Sequence, residues 1–169
     1  METPQVDAAP QNGTYSVGDA NGVMTGRWET GVFNCFDNVV PNCLMACCCP
    51  CFSLAQVTHR LGLYPYQKVL MGYGALWAGM MLCSVLSNVT SLFSLVQLAL
   101  YVVAFYFCWT IRTRVRTTLQ IPGTPMEDCL YSFFCGCCSL AQMATQVKTY
   151  EAGQCSFAAK DTLPGYNMA

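Results

Sequence analysis

Charged residues are scarce in this chain. Its 169 residues include 8 Lys and Arg and 9 Asp and Glu, or 10% of the sequence, whereas soluble globular domains carry about 25%. The net charge of −1 gives the chain no basic surface overall, so we expect no nucleic-acid partner. The shortage of charge indicates that lipid, rather than water, surrounds part of the protein.

Signatures of catalysis and of secretion are also missing. The chain has one histidine, His59, without an evident acidic partner, and it has neither a Gly-x-Ser-x-Gly elbow nor a phosphate-binding loop. We therefore expect neither a hydrolase nor an ATP-driven pump, and no enzyme. The first 21 residues lack the basic and apolar regions of a secretory signal peptide.

What the chain does have is a long uncharged run. No Asp, Glu, Lys, Arg or His occurs from Val69 to Thr110, and one membrane crossing needs about 20 apolar residues. The run therefore fits two crossings, with its most polar stretch, 87–91, as the turn. We predict an all-α membrane protein: a hairpin of two transmembrane helices, about 69–86 and 92–109, between two cysteine-rich segments that carry short interfacial helices.

Basic residues predict the orientation of this hairpin. Arg60 and Lys68 precede the first helix, three arginines follow the second within 112–116, and the turn has none. By the positive-inside rule, both termini are cytoplasmic. Eleven of the 13 cysteines would then lie in a reducing compartment, where structural disulfides are not expected and free thiols serve metal binding, lipidation or redox chemistry.

The cysteine-rich segments are two copies of one repeat. Residues 42–56 and 128–142 align without a gap and share the pattern Cys-Leu-x4-Cys-x-Cys-x-Ser-Leu-Ala-Gln. The stretches that follow, 53–61 and 139–147, predict short helices, each with one apolar face. These faces comprise Leu54, Val57 and Leu61 in the first copy and Leu140, Met143 and Val147 in the second. Such a face lies along the lipid headgroups or packs against the rest of the protein, and the sequence leaves both open.

The cysteine pattern predicts a site for zinc or another soft divalent metal. Thiolates are soft ligands, and a structural zinc site takes four ligands in a tetrahedron. Each Cys-x-Cys supplies two thiolates, so the two copies together supply Cys49, Cys51, Cys135 and Cys137. The repeat-opening cysteines, Cys43 and Cys129, are alternates or further members of the cluster.

Residues in and near the spans also suggest palmitoylation and contact between copies of the chain. Juxtamembrane cysteines are typical acceptors of palmitate, and Cys47, Cys48 and Cys138 are candidates. Gly72, Ala75 and Gly79 form a face of small residues on the first helix, where a second copy could approach closely. Because two helices cannot enclose a pore, any conduction requires a homo-oligomer.

The first repeat resembles a known family. The segment Cys43-Leu44-x4-Cys49-Pro50-Cys51 matches in full the Cys-Leu-x4-Cys-Pro-Cys signature of the placenta-specific gene 8 family, which includes the plant cadmium resistance proteins, the cell number regulators and cornifelin. The entry segment, Trp28-x2-Gly31-Val32-Phe33-x-Cys35-x-Asp37, and the second repeat are also similar to this family, so the resemblance covers about 26–150. In the second copy Gly136 stands where Pro50 stands in the first, which puts any role of that proline in doubt there.

The resemblance implies an oligomeric plasma-membrane protein linked to cadmium and zinc tolerance or to organ size. The predicted membrane domain comprises 26–150. The polar composition of the two tails, 1–25 and 151–169, predicts that both are disordered. We therefore expect a protein that binds or moves soft divalent metals through cytoplasmic thiolates, as an oligomer. The alternative is a palmitoylated adaptor that controls cell number without transport.

Overall fold

The computed structural model describes residues 18–151 and 153–166, and over this part the protein is helical, without a strand. A 3₁₀ helix, Val32–Asn38, and a π-helical turn, Val39–Cys43, come first. The α-helices of the described residues are α1 (Leu44–Cys48), α2 (Pro50–Arg60), α3 (Tyr66–Leu86), α4 (Ser91–Thr118), α5 (Pro125–Phe134) and α6 (Gly136–Gln146).

Helices α3 and α4 are long and apolar enough to cross a membrane, which confirms two candidate spans; the hairpin itself stays a prediction. They contact each other, and four residues, 87–90, connect them. Large apolar side chains stay exposed along both, as at Met71 and Leu95, which suits a surface that lipid covers. Helix α4 continues well beyond the predicted end at residue 109, because Arg112 and Arg116 are buried beside Asp128.

Each cysteine repeat folds as a pair of helices that bend at a cysteine. Cys49 separates α1 from α2 and Cys135 separates α5 from α6, with φ/ψ of −132°/55° and −148°/77°. The N–H of each still bonds one turn back, to Met45 O at 3.0 Å and Tyr131 O at 3.1 Å. The repeat in sequence is therefore a repeat in structure.

The apolar faces of α2 and α6 form the centre of the core. The six apolar residues predicted for these faces are all at most 3% exposed, and the last of each copy directly follows its helix: Leu54, Val57, Leu61, Leu140, Met143 and Val147. The two helices contact each other. The structure thus decides the alternative that the sequence left open: these faces pack inside the protein and do not lie along the headgroups.

Part of the C-terminal tail makes contacts with the helices, while disorder of 1–25 and 151–169 stays a prediction. Residues 1–17, 152 and 167–169 lie outside the described residues, but 153–166 run along α2. Gln56 Nε2 donates to Ser156 O at 2.7 Å, and the N–H of the buried Leu163 donates to Arg60 O at 2.9 Å. At the other tail, Val23 is fully buried. These contacts show that a few apolar residues and one buried amide can hold a polar segment against a helix.

Candidate functional site

Four cysteines from separate parts of the chain form a row of neighbouring thiols. The Cys43 thiol lies close enough to those of Cys35 and Cys47 to interact with them, and Cys47 interacts in turn with Cys137. We call these four residues the thiol row. It runs from the buried Cys35 through the half-buried Cys43 to the exposed Cys47 and Cys137.

Local structure explains how the row assembles. Cys43 and Cys47 are four residues apart across the start of α1, so they share one helical face. The buried Asn42 donates to Ala141 O at 3.1 Å and to Thr145 Oγ1 at 3.0 Å, both on α6. These bonds hold the start of α1 against α6 and so bring Cys47 to Cys137, in the first turn of α6.

Two thiols of the row, Cys43 and Cys47, have raised pKa values. Burial, together with the neighbouring Cys47, raises the pKa of Cys43 above its ordinary value. Burial and the hydrogen bond with Cys137 raise the pKa of Cys47. Outside the row, burial also raises the pKa of Cys51. A metal ion that binds these sulfurs must therefore displace protons.

The predicted four-thiolate set is not gathered at one point. Cys49 forms the first bend and Cys51 lies at the start of α2. Of the predicted ligands only Cys137 and the alternate Cys43 belong to the row, and Cys129 is half-buried on α5. Within residues 18–151 and 153–166, no three His, Cys, Asp or Glu side chains are grouped so as to hold a metal ion. Metal ligation by Cys49, Cys51, Cys135 and Cys137 therefore stays a prediction.

A disulfide joins Cys135 to Cys138, contrary to the expectation of free thiols. The two Cα atoms lie 5.3 Å apart across the first turn of α6, within the range that a disulfide spans. The disulfide therefore occupies Cys135, which was predicted as a metal ligand, and Cys138, which was predicted as a palmitate acceptor. The Cys-x-x-Cys spacing at the start of a helix was the sequence signal that would have found it.

The other predicted positions are more accessible. The palmitate candidates Cys47 and Cys48 are exposed. On α3, Gly72 and Ala75 are exposed, and a Cβ at Gly72 would meet nothing within 4 Å. Gly79 instead faces α4, where an added Cβ would lie 3.5 Å from Leu100 Cδ1.

A buried ionic cluster supports the second repeat. Asp128, at the start of α5, receives a hydrogen bond from Arg116 Nε at 2.7 Å and pairs with Arg112 Nε at 3.3 Å. The Arg112 guanidinium also lies over the rings of Trp28 and Tyr131, 4.6 and 5.2 Å from their centroids. Two arginines whose positive charge predicted the orientation of the hairpin therefore also fix α4 to α5 and to the entry segment.

Comparisons with known proteins identify similar chains. A family model described as the PLAC8 family matches residues 28–146. Cell number regulator 10 of Zea mays is 30% identical over 152 residues, covering 86% of this chain and 78% of the relative. Protein PLANT CADMIUM RESISTANCE 2 of Arabidopsis thaliana is 27% identical over 123 residues, covering 73% and 68%. No solved structure gives a significant match.

Proposed function

The chain belongs to the PLAC8 family, and on that premise we propose that it binds or moves soft divalent metal ions, zinc or cadmium, through cysteine thiolates at a membrane. It is not an enzyme in this proposal, and both termini are cytoplasmic at the plasma membrane. Two relatives with similar sequences carry the name plant cadmium resistance. Thiolates are the protein ligands that such soft ions prefer.

The observation that carries this proposal is the thiol row. Its sulfurs come from the entry segment, the first repeat and the second repeat, and each lies close enough to the next to interact with it. Four thiolates are the number that a tetrahedral zinc or cadmium site takes. A linear row has to close around the ion, and Cys47 and Cys137 can turn because their side chains are exposed.

Metal titration of the full chain in detergent, under reducing conditions, tests the proposal. The ultraviolet charge-transfer absorption of cadmium thiolates reports binding. We compare the wild type with three variants: Cys43→Ser/Cys47→Ser in the row, Cys49→Ser/Cys51→Ser at the first bend, and Cys155→Ser, at an exposed cysteine outside both. Stoichiometric binding that is lost in the row variant and kept in the last variant supports the thiol row.

Two other outcomes would contradict the thiol row or the metal proposal as a whole. Loss confined to the Cys49→Ser/Cys51→Ser variant would restore the four-thiolate set that the sequence predicted. A folded wild type that binds neither ion would end the metal proposal altogether.

The pH dependence of affinity is a second readout. The raised pKa values of Cys43 and Cys47 keep both protonated at neutral pH. Affinity should therefore rise with pH until these thiols ionise, and fall as pH is lowered. Two released protons correspond to roughly a hundredfold change in affinity per pH unit. An affinity that is flat between neutral and mildly alkaline pH would exclude these two residues as ligands.

A second candidate function is a palmitoylated adaptor that controls cell number. It is favoured by the exposure of Cys47 and Cys48 and by the relatives named cell number regulators. Under this proposal, activity survives the loss of metal binding but not the Cys47→Ser/Cys48→Ser substitution. Cys43→Ser provides the contrast, because it removes a central ligand of the row and leaves both palmitate candidates in place.

A further inference from the structure

An apolar cavity of about 330 Å³ lies between the two long helices and the bends of both repeats. Trp77 and Met80 of α3 and Ala104 and Phe105 of α4 form its walls. Its volume is within the range of small-molecule sites. An apolar cavity offers water few hydrogen-bond partners, and such cavities stay dry or take apolar ligands.

The cavity opens sideways, along the surface of α4. Leu98, Val102 and Phe133 line it while being 62%, 57% and 70% exposed, so they form its rim. Phe133 of α5 packs edge-on against Phe105, with centroids 5.8 Å apart. This rim lies on the apolar part of a helix that can cross the bilayer. Lipid acyl chains therefore face the opening.

The opposite end of the cavity is made by the cysteine repeats. Pro50 and Gly136, the first residues after the two bends, line it together with Cys47 and Cys137 of the thiol row. A Cβ at Gly136 would meet nothing within 4 Å, so space remains next to this bend. Whatever fills the cavity contacts both repeats where their thiols meet.

We propose that this cavity is a binding site for one acyl chain of a membrane lipid, which enters sideways past Val102 and braces the two bends against each other. The occupant is an intact bilayer lipid, because the rim faces the bilayer and most of the lining is apolar. The proposal requires only that α3 and α4 lie in a membrane. It does not rest on metal binding, which the titration above measures separately.

The test compares two adjacent substitutions, Val102→Trp and Val103→Trp. Both valines are exposed on α4, 57% and 52%, so neither indole has to enter the core, but only Val102 lines the cavity. The full chain is reconstituted into phosphatidylcholine vesicles and extracted with mild detergent. Native mass spectrometry then counts the lipids that each chain retains, before and after hydroxylamine treatment.

The proposal predicts one retained phosphatidylcholine on the wild type and on Val103→Trp, with occupancy at least severalfold lower on Val102→Trp. Hydroxylamine should leave the bound mass unchanged. Equal retention by the two variants, or a wild type without lipid, would overturn it. A hydroxylamine-sensitive acyl mass on Cys47 or Cys137 would also overturn it, because the chain would then be a thioester and not a lipid.

Discussion

Asp128 shows how much a single residue of the second repeat does for this fold. Asp128 is 2% exposed, and its carboxylate forms ion pairs with the two buried arginines of α4, Arg112 and Arg116. Buried charges are stable only when paired and hydrogen-bonded. Removal of the carboxylate would leave two cations close together without a counter-charge.

At this scale we predict that Asp128→Asn strongly destabilises the protein. Breaking a buried ion pair from one side costs about 3–5 kcal/mol, which for a chain of this length corresponds to a fall of the melting temperature on the order of 10 °C. Thermal unfolding in detergent, followed by circular dichroism, measures it. The control is Asp161→Asn, at an exposed position, which should shift stability by less than about 0.5 kcal/mol. Equal melting temperatures for the two variants would contradict the ionic role of Asp128.

At the level of single elements, α5 stands out because it exposes a row of large apolar side chains. It is capped at its start by Thr124 and Glu127, whose side chains each bond the other's backbone N–H. It lies beside the last apolar turns of α4, because Trp109 Nε1 donates to Pro125 O at 2.9 Å and Phe105 packs on Phe133. Large apolar side chains nevertheless remain exposed along it: Met126, Leu130, Phe133 and Phe134. This face suits burial at the boundary of headgroups and acyl chains.

We therefore predict that α5, rather than α2 or α6, is the interfacial helix. A tryptophan at Phe134, which is 78% exposed, should be quenched by phosphatidylcholine brominated on its acyl chains, measured as the difference from the parent protein. Gln154→Trp is the control, since residue 154 is exposed in a turn beyond the far end of α6. Quenching that is equal at the two positions would contradict this placement.

For the whole molecule, association of two or more copies stays a prediction, and helix α3 offers the surface for it. Gly72 and Ala75 leave one side of α3 flat and exposed, whereas Gly79 already serves the contact with α4. Small residues let helices approach closely in lipid. The sequence predicted all three as one oligomer face, and the structure leaves the first two available for it.

If this face joins two copies, Ala75→Leu should weaken the oligomer at least about tenfold, or by about 1.4 kcal/mol, because the larger side chain separates the backbones. Native mass spectrometry or sedimentation in detergent gives the mass distribution. Ala99→Leu is matched to it, since Ala99 is an exposed alanine on α4. An oligomer that tolerates Ala75→Leu, or one that Ala99→Leu disrupts equally, would place the contact elsewhere.

The sequence alone determined the membrane helices, the cysteine repeat and the family resemblance. These follow from local patterns. An uncharged run of 42 residues from Val69 to Thr110 can be accommodated only in lipid or in a large core, and a repeat is recognised by aligning the sequence with itself. Even the disulfide of α6 had a readable signal, in the spacing of Cys135 and Cys138.

Only the tertiary structure decided which thiols meet. Cys47 meets Cys137 because Asn42 docks the start of α1 on α6, and this contact joins residues about a hundred positions apart. The same holds for the burial of Arg112 and Arg116 and for the cavity under the bends. Such features depend on how helices pack against one another, and helical periodicity reports which face is apolar without naming its partner.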